Sequence, residues 1–105
     1  FKKALVEIDW AKPVAEVYNM IRAANPAPGA WSTFAGTQVQ IYDSAKLEGD
    51  GTPGVIVDVS DAGVTVQADG GRILIKRVRP AGEGKMPASD WAAAAGLSAG
   101  ATFNA

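Results

Sequence analysis

The stretch VIVDVSDAGVTVQADGGRILIKRVR, residues 55–79, constrains the fold more than any other part of the chain. Apolar and polar side chains alternate through it, and turn residues break it at short intervals. Alternation with a period of two suits strands that bury one face and wet the other. Val55, Val57 and Val59 share one side of a predicted strand over 55–59. Ser60-Asp61-Ala62-Gly63 reads as a hairpin turn, after which Val64 and Val66 alternate with Thr65 and Gln67. Asp69-Gly70 is the strongest short hairpin signal in the chain. The last long strand, 72–79, breaks its own alternation: Ile73 and Ile75 share a face, Arg77 stands where the next apolar residue is due, and Val78 follows. A one-residue bulge at Lys76-Arg77 returns Val78 to the core side, a device suited to a small barrel that must bend.

Upstream, the pattern changes period. Val14, Val17, Tyr18 and Ile21 recur at helical offsets behind Pro13, which suits a first helical position. Glu16 near the start and Arg22 near the end complement the helix dipole. Asn25-Pro26 stops the helix, so it is predicted over 13–24. The following ANPAPGAW, residues 24–31, reads as a rigid elbow: Pro26 and Pro28 fix φ, Gly29 permits an unusual φ or a close approach, and Trp31 lies between helix and barrel. Short strands are predicted at 31–34 and 37–44, around a tight turn at Ala35-Gly36. In the second, Val39 and Ile41 share one face and Gln38, Gln40 and Tyr42 the other. KLEGDGTPG, residues 46–54, is a loop by composition.

Beyond the loop at 80–84, residues 89–95 form a short helix with Trp91 as packing anchor and Gly96 as stop. The tail from Leu97 is weakly patterned and expected to fray, with Phe103 as the residue able to pin it. One helix, five or so short antiparallel strands and a short C-terminal helix imply a mainly β fold, an OB-like open antiparallel β-barrel. The expected organisation is a linker end or short leading strand at 1–8, the barrel domain at 9–97 and a tail at 98–105.

Composition narrows the chemistry. A chain of 105 residues, 48% hydrophobic and 20% charged, has the size and make-up of one ordinary globular domain. It contains no cysteine and no histidine, which removes disulfides, thiolate nucleophiles and the commonest general base and metal ligand. No catalytic residue and no metal site are expected in it. No apolar run approaches the ~20 residues of a membrane helix, so no membrane partner is expected, and a reducing cytoplasm is the default compartment. The first residue is Phe1, which reads as a segment of a longer protein. Asp9 and Glu16, and Asp58 and Asp61, are near in sequence, but turn and helix-start roles account for them. GDGTPG does not precede a helix with a Lys-Ser or Lys-Thr ending, so it is no phosphate loop of the familiar kind.

Four stretches in order, IDW, VAEVYNMIRAANPAPGAW, GTPGVIVDV and RILIKRVRPAGEGKMPASDW, resemble the C-terminal domain of the methionyl-tRNA formyltransferase family and related 10-formyltetrahydrofolate enzymes. The resemblance covers about residues 8–97. It implies a two-domain enzyme whose N-terminal, Rossmann-like domain binds 10-formyltetrahydrofolate and carries an Asn, His and Asp catalytic set. It implies no cofactor in the present domain, whose family role is to help hold initiator tRNA. Where the family often has an aromatic residue between the two elbow prolines, this chain has Ala27.

The basic residues that fit such a role are Arg22 on the helix, Arg72, Lys76, Arg77 and Arg79 on or near the last long strand, and Lys85 beyond it. A stripe of this kind binds phosphates with an affinity that falls steeply with salt. Lysine and arginine also protect a solvated sheet edge from pairing, and the residue pattern leaves both readings open. Net charge is −1, and Asp58, Asp61 and Asp69 are neighbours, which weighs against strong tRNA binding. Two alternatives follow: the same domain in a formyltransferase or formyltetrahydrofolate hydrolase acting on a small molecule, and a free-standing OB-like module for nucleic acid or oligosaccharide.

Overall fold

Pro13 opens the first helix, α1 (Val14–Ala24), accepting hydrogen bonds from the amides of Glu16 and Val17 at 2.9 and 3.1 Å. Its apolar stripe buries Val17, Ile21 and Ala24, and the chain leaves the helix at Asn25 with an extended ψ of 136°. Full burial of a side chain such as Ile21 contributes about 1.5–3 kcal/mol. The fold is described from a computed structural model covering residues 6–25 and 29–103. The expected elbow residues Pro26 and Pro28, with Ala27, lie outside the described residues. Gly29 is described: its φ is +85°, and its amide reaches back to the Ala24 carbonyl at 2.9 Å.

The described residues beyond α1 form strand segments β1 (Ala30–Phe34), β2 (Thr37–Ile41), β3 (Ser44–Leu47), β4 (Ile56–Ser60), β5 (Gly63–Ala68), β6 (Gly71–Ile75), β7 (Arg77–Pro80) and β8 (Met86–Pro87), then helix α2 (Ala88–Ala95). They make two antiparallel sheets of four segments, ordered β1-β2-β7-β8 and β3-β6-β5-β4. The chain passes from one sheet to the other twice, between β2 and β3 and between β6 and β7. Joined across those bends, the segments make five long strands and the short β8. No ladder joins β1 to β4 among the described residues, so the barrel is open.

The bend differs from the expected bulge. Ile41 pairs with Val78 and Ser44 with Ile75, so two residues separate the pairs on each strand and neither strand carries an extra one. Tyr42 donates its amide to the Arg77 carbonyl and Lys76 donates to the Asp43 carbonyl, at 2.9 and 2.8 Å. Consecutive residue pairs exchange one bond each, where an ordinary antiparallel ladder alternates paired and unpaired positions. Both strands therefore slip their side-chain phase together, and Ile41, Ile75 and Val78 all reach the core. A shift of register does occur in β4, between Ile56 and Asp58. There the fully buried residue is Ile56, with Val55, Val57 and Val59 half-buried. Ile56 and Val59 oppose the buried Val66 and Val64, so the shift brings both to the inner face.

Two further details modify the sequence reading. The 46–54 stretch begins inside β3, which runs through Leu47. The tail does not fray through residue 103. Ile56 accepts from the Gly100 amide at 2.8 Å and donates to the Ala101 carbonyl at 2.7 Å, and Phe103 donates to Gly54 at 2.8 Å. Phe103 is buried among Trp10, Phe34 and Trp91, with ring centroids 5.3, 5.6 and 6.0 Å away. It pins the tail over the open edge at β4, where Val55 bridges Thr102. The opposite edge is covered by the leading segment, through the Glu7–Trp31 bridge and the Ile8 amide on the Trp31 carbonyl. Trp91 anchors α2, and Gly96 ends it with a left-handed φ of 66°, as the sequence predicts.

The β5–β6 turn, Asp69-Gly70, also docks on the helix start, where Val14 donates to the Asp69 carbonyl at 2.8 Å. Ala35 and Gly36 have φ of 50° and 81°, as a type I′ hairpin requires. Two outcomes follow. Phe103→Ala, which empties the centre of the aromatic cluster, is expected to lower unfolding free energy by about 3–5 kcal/mol in urea titration. Ala35→Asn, which suits the left-handed position better, is expected to raise it by ~1 kcal/mol.

Candidate nucleic-acid interface

Pairing across the first sheet sets out its outward face. Residues directly opposite one another share a face. Val39, Ile41, Val78, Ala30 and Ser32 point inward and are fully buried. The alternate positions therefore point outward: Trp31 opposite Gln40 opposite Arg79, and Thr33 opposite Gln38 in the next row. Tyr42 and Arg77 form the row on the other side, joined by the Tyr42 amide. A shallow hollow lined by Gln38, Gln40, Arg79, Ala81 and Gly82 opens on this face.

The face is knitted together. The Tyr42 hydroxyl donates to Gln40 Oε1 at 3.1 Å. Lys85 Nζ lies 4.2 Å from the centroid of the buried Tyr42 ring, a cation–π contact. A side chain at position 29 would meet Gln40 Nε2 and Tyr42 Cε1 at 3.4 Å, and the positive φ there adds strain. The positive φ is what favours glycine at this position.

The sequence-predicted basic residues divide among different places. Arg77, Arg79 and Lys85 come together on the outward face, and all are exposed. Lys76 is exposed at the bend, where its carbonyl accepts the Ala88 amide at 2.9 Å. Arg22 sits apart on α1 and Arg72 in the other sheet. The edge-protection reading does not fit β7, an inner segment of its sheet with β2 on one side and β8 on the other. Only Arg79, beyond the reach of the β8 pairs, retains an open flank.

Arg72 is engaged in holding a loop. Its Nε donates to Gln67 Oε1 at 2.8 Å, and a terminal nitrogen donates to the Asp50 carbonyl at 3.3 Å. Gln67 is fully buried, and its Nε2 donates to the carbonyls of Gly49, Ala68 and Gly71 at 2.8, 2.9 and 3.0 Å. The 49–54 loop therefore closes over the outer face of β5. Alternation alone treats Gln67 as a wet residue; its burial comes from this loop. Nothing in the sequence pattern singles out Lys46, whose Nζ lies 5.2 Å from the Tyr18 ring centroid. Gln38 and Gln40 lie on the side that alternation predicts, yet alternation assigns them no role. No group of three or more metal-ligating side chains occurs among the described residues, and none of their helices is long and apolar enough to cross a membrane.

The chain is thus a small open β-barrel flanked by two helices, with aromatic, amide and basic groups ranged on one sheet. Similarity to known proteins gives it a family. Residues 1–96 match the formyl transferase C-terminal domain, and the chain belongs to that family. It is 36% identical over 98 residues to methionyl-tRNA formyltransferase of Chromobacterium violaceum, an alignment covering 93% of this chain and 32% of that protein. It is 38% identical over 84 residues to the enzyme of the same name from Streptococcus equi subsp. equi, covering 80% and 27%. The chain thus spans about a third of the length of the curated relatives it matches. Its fold matches that of HypX from Aquifex aeolicus, solved in complex with tetrahydrofolic acid, with a TM-score of 0.77 and 22% identity, over 88% of this chain and 17% of that one.

Removing the Gln67 amide leaves carbonyls and an arginine without their partner under the loop. Gln67→Leu is expected to cost about 2–3 kcal/mol. Proteolysis should then cut first within 49–54, which limited digestion with mass spectrometry reads out.

Proposed function

We propose that this chain is the acceptor-holding C-terminal domain of a 10-formyltetrahydrofolate-dependent formyltransferase, and that the acceptor is the aminoacylated initiator tRNA. On this reading the folate and the formyl-transfer residues belong to an N-terminal Rossmann-like domain of the same polypeptide, acting in the cytoplasm. The present domain supplies position: it fixes the acceptor so that the amine meets the formyl donor, and orientation of this kind lowers a bimolecular barrier without any reacting group of its own.

The observation that carries the reading is the row Trp31–Gln40–Arg79, flanked by Arg77 and Lys85. Guanidinium and ammonium groups neutralise phosphates, amides bond riboses and base edges, and an aromatic ring offers a stacking surface. Family membership and the names of the curated relatives support the acceptor class. A net charge of −1 and a pI near 5.2 favour a second reading, in which the barrel flanks the active site of an enzyme with a small-molecule acceptor.

One titration separates the two. Fluorescence anisotropy with labelled initiator tRNA at several salt concentrations is expected to give weak, salt-dependent binding. The R77Q/R79Q variant should flatten the plot of log affinity against log salt by about 2, one for each phosphate that is no longer neutralised. Wild-type protein that leaves the tRNA free at low salt would favour the small-molecule acceptor.

A further inference from the structure

Tyr18 gathers two cations from different elements. The Arg22 guanidinium carbon lies 5.5 Å from its ring centroid and Lys46 Nζ 5.2 Å. Arg22 is the neighbour one turn along α1, whereas Lys46 arrives from β3 only on folding. The negative face of the ring attracts each cation, so Tyr18 holds two like charges at one place on the surface. Both side chains are exposed, and neither is paired with a carboxylate among the described residues. A surface hollow lined by Asn19, Arg22 and Ala23 opens beside them.

We propose that Tyr18, Arg22 and Lys46 form a second contact for a nucleic-acid backbone, on the seam between α1 and β3 and separate from the outward face of β1, β2 and β7. The inference rests on the nucleic-acid reading given under the proposed function. Paired cations around an aromatic ring match the composition of surfaces that follow a phosphate backbone. A lipid surface fits less well: besides Arg22, the exposed positions of α1 carry Ala15, Glu16, Asn19 and Ala23, and Leu47 on β3 is a single exposed apolar side chain, too little to seat a helix in a bilayer.

The test uses the 105-residue chain with an initiator tRNA transcript and, separately, vesicles rich in anionic lipid. The R22Q/K46Q variant is expected to bind the transcript about tenfold more weakly at low salt, with a salt slope lower by about 2. The charge-preserving R22K/K46R variant should retain wild-type affinity and slope. An unchanged thermal midpoint in both confirms that these exposed substitutions leave the fold intact. If R22Q/K46Q matches wild type while R77Q/R79Q weakens binding, the seam contact is overturned and the sheet-face reading stands. If the wild-type chain binds no transcript at any salt, both are overturned. Binding to anionic vesicles in place of the transcript, with the same dependence on Arg22 and Lys46, overturns the assignment to nucleic acid.

Discussion

Two strands bend at the same place, and the rest of the molecule depends on their doing so together. At Tyr42-Asp43 and Lys76-Arg77 the ladder keeps its register while both chains change phase. A bulge on one strand would have shifted pairing on one side of the bend and cost a ladder bond. The matched kink costs neither, and it lets one continuous pair of strands serve both sheets. Ile75 and Val78, on either side of it, lie fully buried in a single core. The same phase change turns Arg77 and Arg79 outward beside Gln40, so the candidate face is a product of the bend.

The clearest parts of the sequence are those whose signals are local. Pro13, the helical spacing of Val14 to Ile21 and Asn25-Pro26 bound α1 correctly, because caps and periodicity act within a few residues. Asp69-Gly70 makes the tight β5–β6 turn, with the positive φ of 73° at Gly70 that such turns favour. Val78 betrays a phase break, but one strand's alternation cannot reveal whether its partner breaks too. Tyr42 conceals the partner's break, since an aromatic phenol is at home on either face. In β4, VIVDV supplies apolar residues to both faces, so alternation there carries no information about which side is inner. Phe103 acts through Trp10, Phe34 and Trp91, all distant in sequence. Phe103 stands out among the small residues of the tail, but nothing local names the rings it meets.

The charges show the same division. A net charge of −1 describes the whole chain, whereas binding depends on where charges of one sign collect. Folding takes Arg72 out of the group by giving it Gln67 and the Asp50 carbonyl. It adds Lys46, which composition assigns to a loop and which β3 instead delivers to Tyr18. Both changes come from contacts across the sheet or between helix and strand. Arg77 and Arg79 stay together on the outward face, while Arg22, from the helix, is joined by Lys46 at Tyr18.

Gly29 sits where the exit from α1 becomes β1, with a φ of +85° that a side chain would resist. Its amide ties the helix end through Ala24, and it lies against Gln40 and Tyr42. α1 is seated by its buried Val17, Ile21 and Ala24 and by backbone bonds at its two ends, Val14 to Asp69 and Gly29 to Ala24, none of which uses a charged side chain. Basic groups on a rigid frame lose less entropy when they meet a backbone of fixed spacing than groups on a mobile arm. A nearly neutral domain can still gather like charges in this way: Lys85 lies over Tyr42, and Arg22 and Lys46 over Tyr18, on a frame that packing holds in place.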